Sequence, residues 1–272
     1  MVASASDGGG IKPLPLLSIG ANPSPLVRSG LQVSSLLIPL LLWTVISAME
    51  LVDGKFLPSP AAVLESLASM AQEGILFQDI VASTGRVFAG FFLATLVAVP
   101  LGICMGVYPA ICALCEPLIA MLRYMPAAAF IPLLIIYLGI GEEPKIALIF
   151  LGTVYFNVLM VMDAVKFVPK ELIETTLTLG GRGRQVLVQV VARYSLPSII
   201  DTLRINIATS WNLVVVAELV AAEVGLGKRI QLAQRFFRTD QIFAELIVLG
   251  LIGFAIDMGF RLLLRLSCRW AL

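Results

Sequence analysis

The sequence predicts an all-α membrane protein with six transmembrane helices and both termini in the cytoplasm. Hydrophobic residues make up 59% of the 272-residue chain and charged residues only 14%, whereas soluble proteins carry about 25% charged residues. The mean hydropathy is +0.97, and apolar stretches long enough to cross a bilayer recur along the chain. The net charge of +1 gives no clustered basic surface of the kind that binds nucleic acid, so that class of function is excluded.

The positions of the spans follow from the apolar stretches between charges. A helix that crosses a bilayer needs about 20 mostly apolar residues. Six segments meet this requirement, approximately Leu31–Met49, Val87–Val107, Pro117–Leu138, Ile146–Met162, Ile199–Ala222 and Ile242–Leu264. An even number of crossings places both ends of the chain on the same side of the membrane.

The distribution of Lys and Arg assigns that side. With six spans, ten basic residues lie on the face that carries the termini and seven lie on the other face. The positive-inside rule therefore predicts that the termini are cytoplasmic. The same holds for the polar segment Asp163–Pro197, which separates spans four and five.

These spans divide the chain into four parts. The predicted parts are a mobile cytoplasmic leader (1–30), the first transmembrane helix (31–49), a periplasmic turn with a surface helix (50–85), and a core domain (86–272) whose cytoplasmic loop is 163–197. A cleaved signal peptide is the alternative for the leader. It is disfavoured because the apolar block begins only at residue 31 and the rest of the chain is also membrane-embedded.

No motif in the sequence indicates a catalytic, nucleotide or metal site. The glycines Gly180, Gly181 and Gly183 lack the Lys and the hydroxyl residue that complete a phosphate-binding P-loop. Cys112 and Cys115 have Cys-x-x-Cys spacing, but the chain has no His and no second pair to complete a zinc site. We therefore expect no cofactor on this chain, and any energy source must lie on another protein.

Polar residues inside the spans are candidates for a translocation pathway, because such residues are costly in a bilayer. The polar candidates are Arg123, Asn157, Trp211, Asn212 and Glu218, and Met125 and Pro126 at the predicted bend of span three are added to them. Glu218 either faces water or pairs with another helix, since Val214 and Ala222, four residues away on either side, cannot compensate its charge. The amide of Asn157 is better explained by an interhelical hydrogen bond.

Pro126 and Pro132 predict a bend in span three that either gates a pathway or is a tolerated kink. The couples Asp201–Arg204 and Asp257–Arg261 have the spacing of ion pairs within one helix and are expected to be structural. An ion-coupled carrier or channel that uses Glu218 and Asp257 is the second functional hypothesis.

The polar segment predicts a short helix that begins after Pro169 and ends at Gly180. Proline is typical of the first turn, glycine is typical of the C-terminal cap, and Glu171 and Glu174 lie where the helix dipole favours negative charge. A docking element is favoured over an ordinary loop helix that rests on the bilayer.

The stretch ELIETTLTLGGRGRQVLVQVVARYSLPSII resembles the conserved cytoplasmic loop of binding-protein-dependent ABC importer permeases. In that pattern Glu-Ala-Ala is followed by three residues and Gly, and here Glu174 and Gly180 match while Thr175 and Thr176 replace the alanines. The family's Ile-x-Leu-Pro would fall at Val190 to Arg193, so its proline is Arg193 here. The sequence therefore does not predict whether the chain bends after the loop.

Other stretches are similar to one branch of that family, the permeases for nitrate, sulfonate, taurine and bicarbonate. They include LGIGEEPKI, VVVAELVAAEVGLG and FFRTDQIFAELIVLGLIGFAID, and the resemblance covers approximately Phe56–Leu264. It implies a type I ABC importer permease fold in the bacterial inner membrane. It also implies transport of a small solute, expected to be an anion.

The resemblance further implies several partners for the chain. They are membrane lipid, a second permease copy that forms a homodimer, two cytoplasmic ABC ATPase subunits that bind ATP and Mg, and an external solute-binding protein. The expected ATPase-coupling residues are Glu171, Glu174, Thr175, Leu177 and Gly180 from the loop, with Arg182 and Arg184 added because of their charge and location.

Overall fold

The computed structural model describes residues 23–271, without the side chains of Ala221 and Ala271. All regular elements in that range are helical. In chain order the α-helices are α1 (Pro25–Ala48), α2 (Pro60–Gln72), α3 (Ile75–Val107), α4 (Pro109–Leu122), α5 (Ile131–Leu138), α6 (Glu143–Lys166), α7 (Lys170–Thr178), α8 (Gly183–Gln185), α9 (Ala192–Ala221), α10 (Leu226–Arg235) and α11 (Thr239–Ser267). The chain divides into two compact units, Met1–Pro60 and Ala61–Leu272.

In the first unit α1 begins inside the predicted leader. The side chain of Ser24 caps the helix and Pro25 occupies its first turn, where a missing N–H costs nothing. The leader boundary at residue 30 is therefore wrong, because Pro25–Gly30 are helical, and the rest of the leader up to residue 22 lies outside the described residues. At the other end of α1, the indole of Trp43 donates a hydrogen bond of 3.0 Å to the carbonyl of Pro58.

Within residues 23–271, five helical stretches are long and apolar enough to cross a membrane, and the bent pair α4 and α5 provides a sixth crossing if it counts as one span. Span two begins earlier than predicted, because α3 begins at Ile75 and not at Val87. Residues 75–85, predicted to be part of the periplasmic turn and surface helix, therefore belong to the long helix α3. Arg86, predicted to lie on an outer loop, is only 5% exposed.

Span three is broken and not merely bent. Pro109–Leu122 and Ala127–Leu138 meet at 82°, because Pro126 starts a 3-10 turn and Pro132 lies in the first turn of α5. Span five also differs from its prediction, since continuous helix runs over Gly183–Val220 and so starts well before Ile199. The polar segment is thus the end of α6, the separate helix α7 and the beginning of this long helix.

The second unit is organised around the contact between α3 and α6. Small residues recur every fourth position on α3, at Gly90, Ala94, Ala98, Gly102 and Gly106. A Cβ atom on Gly102 would lie 2.8 Å from the carbonyl oxygen of Val158 and 2.8 Å from the side chain of Val161. Small residues allow such close helix packing in membranes, where dispersion contacts replace the hydrophobic effect.

Helix α6 also packs against α9 through two buried polar bridges. The hydroxyls of Thr153 and Ser210 lie 2.8 Å apart, and the amide of Asn206 donates to the Asn157 side chain at 2.8 Å. The hydrogen bond expected of Asn157 is therefore present, and it fixes the register of α6 against α9.

We expect Gly102→Leu to destabilise the protein by about 1–3 kcal/mol, because the added side chain overpacks the contact between α3 and α6. In a chain of this size that loss lowers the melting temperature by several degrees. Thermal unfolding in detergent measures it. Gly85→Leu is the matched control on the same helix, since a Cβ there meets nothing within 4 Å, and equal losses in the two variants would contradict the packing argument.

Candidate functional site

Helix α7 connects two membrane-spanning helices and is supported on one side only. Ile173 packs against a valine cluster formed by Val165, Val168, Val186 and Val191. That cluster joins the end of α6 to the start of the helical stretch that continues into α9. A displacement of α7 therefore acts on both helices.

The C-terminus of α7 is closed by glycine, as the sequence predicts. Gly180 has φ of +85°, and its N–H donates to the Leu177 carbonyl at 3.0 Å. The N–H of Gly181 donates to the Thr176 carbonyl at 2.9 Å. These two bonds form a Schellman motif, in which the left-handed residue is commonly glycine because it has no Cβ.

The opposite side of α7 is open. All the predicted ATPase-coupling residues are exposed, namely Glu171, Glu174, Thr175, Leu177, Gly180, Arg182 and Arg184. A surface depression of about 330 Å³ is lined by Glu171, Glu174, Thr175, Thr178 and Leu179. Phe167, which precedes α7, is 83% exposed, and Leu179, which follows it, is 82% exposed. Large apolar side chains beside charged ones are typical of a protein contact surface.

After α7 the chain re-enters helix without a proline bend. Val186–Val191 forms a π-helical turn, a feature that is frequent at functional sites. Arg193 follows in the first turn of α9, and its guanidinium lies 5.7 Å from the centre of the Trp270 ring. The sequence left open whether the chain bends after the loop, because Arg193 replaces the family proline. In the structure the chain there is a continuous helix, and Arg193 makes a cation–π contact with Trp270.

A cavity of about 510 Å³ lies between α9 and α11, and its lining includes Trp211 and Asn212. The indole of Trp211 donates to the Leu249 carbonyl at 3.0 Å, which holds the ring against α11. These two residues are the predicted pathway candidates that the structure brings together in one cavity.

At the α7 end of this cavity, four charged residues form one connected network of ion pairs and not two separate pairs. Arg204 contacts Asp201 and Asp257, each at 2.9 Å, and Asp257 also contacts Arg261 at 2.7 Å. The two expected couples within helices are present. The additional contact between Arg204 and Asp257 connects α9 with α11.

The other pathway candidates lie elsewhere. Arg123 ends α4, and its guanidinium lies 5.0 Å from the centre of the Tyr124 ring, while Met125 and Pro126 are exposed in the same break. Glu218 is fully buried, so it does not form the wall of an open polar pathway in this structure. Its partners lie on other helices, which is the alternative that its sequence neighbours left open.

Those partners belong to an ionic cluster at the end of the bundle opposite α7. The guanidinium of Arg86 on α3 donates to Glu218 at 2.6 Å, to Glu142 at 2.8 Å and to the Val224 carbonyl at 2.7 Å. Glu218 also accepts from the Ser83 hydroxyl at 2.7 Å and from the Gly227 N–H at 2.8 Å. Hydrogen bonds between charged groups are short and strong, and these connect α3, α6, α9 and α10.

The same cluster holds the turn before α10. Asp79 accepts from the Gly225 N–H and from the Arg229 guanidinium, each at 2.8 Å. Gly225 has φ of +140°, and a Cβ there would collide with the Glu218 carboxylate. Only glycine therefore fits between the two acids.

Sequence reasoning did not identify Asp79, Ser83 and Arg86 as a group. Their spacing of four and three residues places them on one helical face, and this was a usable signal. It was missed because the charges were assigned to a loop outside the apolar stretch of span two.

Glu142 lies between α5 and α6, outside the spans. The hydrogen bond from Arg86 lowers the pKa of its carboxyl to about 2, with further lowering by Lys145, although burial opposes the shift. A carboxylate with a lowered pKa stabilises the fold above its ordinary pKa of 4.5, and this contribution is lost as pH falls toward the folded-state value.

We therefore expect wild type to be more stable than Glu142→Gln at neutral pH, with an advantage that shrinks as pH falls below about 4.5. Thermal unfolding across a pH series measures the difference. Glu143→Gln changes the exposed neighbouring carboxylate and should show much less of this dependence. An advantage that remains constant down to the lowest accessible pH would contradict the role of the Arg86–Glu142 pair.

The comparisons with known proteins agree with this architecture. The family model described as "Binding-protein-dependent transport system inner membrane component" matches residues 98–267. The chain belongs to this family. The taurine transport system permease TauC of Escherichia coli is 35% identical to this permease over 245 residues, which cover 88% of this chain and 89% of TauC.

Two further relatives are also ABC permeases, one of them named for sulfonates. A putative ABC transporter permease of Methanocaldococcus jannaschii is 37% identical over 90% of this chain and 92% of its own. The putative aliphatic sulfonates transport permease SsuC of Bacillus subtilis is 29% identical over 88% and 87% of the two chains. The permease is therefore an ABC importer permease in the branch that contains the taurine and sulfonate permeases.

Solved structures confirm the fold. An inward-facing MetNI methionine ABC transporter chain matches with a TM-score of 0.62 at 18% identity, covering 70% of this chain and 95% of that one. A chain of an amino acid ABC transporter matches with a TM-score of 0.52 at 16% identity, covering 75% and 97%. This permease thus has a type I ABC permease-like fold with several membrane-spanning helices.

Proposed function

We propose that this permease is the transmembrane subunit of an ATP-driven importer for a small anion, with taurine or another sulfonate as the first candidate. It acts in the bacterial inner membrane, with α7 and both termini in the cytoplasm. A second copy completes the channel, and an external binding protein delivers the solute. The observation that carries the proposal is α7, an exposed helix whose inner side rests on the valine cluster shared by two spans.

In this mechanism the energy comes from two cytoplasmic ATPase subunits that bind ATP and Mg. The exposed side of α7 enters a groove on the ATPase, where Glu171 and Glu174 meet basic groups and Leu177 meets apolar ones. Closure of the ATPases displaces α7. Because Ile173 connects α7 to the valine cluster, the displacement passes to α6 and α9 and alters the cavity beside Trp211.

The resemblance to taurine and sulfonate permeases favours an anion over the other small solutes. Nitrate and bicarbonate are the inorganic candidates, and like a sulfonate group each carries one negative charge. Within the broken span three, Arg123 supplies positive charge at an exposed position, where it can meet an anion on its way through the dimer. Trp211 and Asn212 line the cavity on α9 and provide an apolar face and an amide for the same solute.

An ion-coupled carrier that uses Glu218 and Asp257 is the disfavoured alternative. Glu218 is buried against Arg86, and Asp257 contacts both Arg204 and Arg261. Both carboxyl groups are thus already engaged by arginines of this chain, which leaves them poorly placed to bind and release a transported ion. Membership of the ABC permease family also argues for coupling to ATP.

We expect Glu174→Lys to weaken ATPase binding at least about tenfold, because the reversed charge opposes the basic groups of the ATPase groove. Co-purification of the ATPase on tagged permease in detergent measures the loss. Glu223→Lys makes the same change at an exposed position at the opposite end of the bundle and should retain binding. Retention by Glu174→Lys with full transport-coupled ATP hydrolysis would contradict the coupling role.

We expect Trp211→Ala to reduce uptake of labelled taurine or another sulfonate in proteoliposomes that contain the permease, the ATPase and the binding protein. The lost ring removes apolar contact area from the cavity wall, whereas α7 is unchanged, so ATPase co-purification should match wild type. Phe254→Ala is the control, because this aromatic residue of α11 is 63% exposed and does not line the cavity. Uptake without ATP hydrolysis would exclude the importer mechanism.

A further inference from the structure

Glu245 on α11 is a fully buried carboxyl group that the proposed transport mechanism does not use. Its side chain is 0% exposed. Among residues 23–271, neither of its carboxyl oxygens has a hydrogen-bond partner. Buried polar atoms in proteins are almost always hydrogen-bonded, so this group requires an explanation.

The charged side chains near Glu245 are already paired with each other. Asp79 on α3, Glu218 on α9 and Arg229 on α10 are close enough to interact with it electrostatically. Arg229 contacts Asp79 at 2.8 Å, and Glu218 contacts Arg86 at 2.6 Å. Each nearby cation thus already neutralises another carboxylate, and Glu245 is left without a counter-charge.

The charges of the whole cluster do not balance. Its acidic members are Asp79, Glu142, Glu218 and Glu245, and its basic members are Arg86, Lys145 and Arg229. Four carboxylates against three cations leave one negative charge in excess. The excess falls on the member with no ion pair, since each of the other acids contacts a basic side chain.

An ionised carboxylate in this position would be costly. Enclosing a charge without a partner is strongly unfavourable, even after the protein relaxes around it. Enclosing a neutral polar group without a hydrogen bond is much less unfavourable. One proton from solvent converts the first situation into the second and makes the cluster neutral.

We propose that Glu245 is a proton-binding site that is occupied when α10 is seated against α3 and α11. The carboxylate takes one proton from water and forms a neutral carboxylic acid, with no electron transfer. If α10 leaves α3, water reaches the carboxyl group and the proton is released. Protonation of Glu245 is thereby coupled to the position of α10.

This site is distinct from the cavity between α9 and α11. The α11 lining of that cavity begins at Leu246 and does not include Glu245. Glu245 is therefore not part of the lining of that cavity, and its proton does not depend on which solute is transported.

The direct test is infrared spectroscopy of the complete permease in nanodiscs. The difference spectrum between wild type and Glu245→Gln should contain the C=O stretch of a protonated carboxylic acid in the wild type, and the band should shift in heavy water. Glu223→Gln, which changes an exposed carboxylate, should leave that band in place. Absence of the band at neutral pH, or its persistence in Glu245→Gln, would overturn the proposal and indicate an ionised carboxylate solvated by enclosed water.

A second measurement uses stability, because Glu245→Gln has the shape of the protonated acid. If a carboxyl group is neutral in the folded protein and ionised in the unfolded chain, the folded protein becomes less stable as pH rises. Wild type and Glu245→Gln should therefore melt together near about pH 5, and wild type should melt several degrees lower near about pH 8. Parallel melting curves over this range, with both variants folded, would also overturn the proposal.

Discussion

The guanidinium of Arg86 holds together the end of the bundle that lies opposite α7. It binds Glu218 across 132 residues of sequence, Glu142 across 56 and the carbonyl of Val224. A buried cation of this kind needs its acceptors, since breaking one buried pair leaves an unpaired charge at a cost of about 3–5 kcal/mol. The positions of the α5–α6 turn, the end of α9 and the start of α10 therefore depend on one side chain.

The two ends of the second unit are stabilised by different forces. Charged hydrogen bonds hold the Arg86 end, whereas at the other end α7 rests on apolar contacts of Ile173 and on a glycine cap. Helices α6 and α9 connect the two ends and are joined to each other by Thr153–Ser210 and Asn157–Asn206. Directional polar bonds resist sliding more than apolar contacts do, so a force on the exposed α7 moves a registered pair of helices. This arrangement suits a subunit whose energy source is another protein.

The sequence was sufficient for the features that depend on local chemistry. Apolar length predicted the membrane class and the approximate spans, and proline and glycine signals predicted α7 with its cap at Gly180. The predictions failed where charges interrupt a helix. Hydropathy places the boundary of span two at Arg86 and leaves Asp79 outside the span, yet both lie inside α3, because each finds a counter-charge that no hydropathy pattern includes.

The amino-acid sequence by itself determined a multi-pass helical protein, the exposed helix between two spans and the motif that identifies its family. Only the tertiary structure decided which polar residues are enclosed and which line a cavity. Glu218 and Trp211 lie two helical turns apart on α9, yet one is buried in an ion pair and the other borders open space. The physical reason is that hydropathy and capping act within a helix, whereas the fate of a charge depends on the helices that pack beside it.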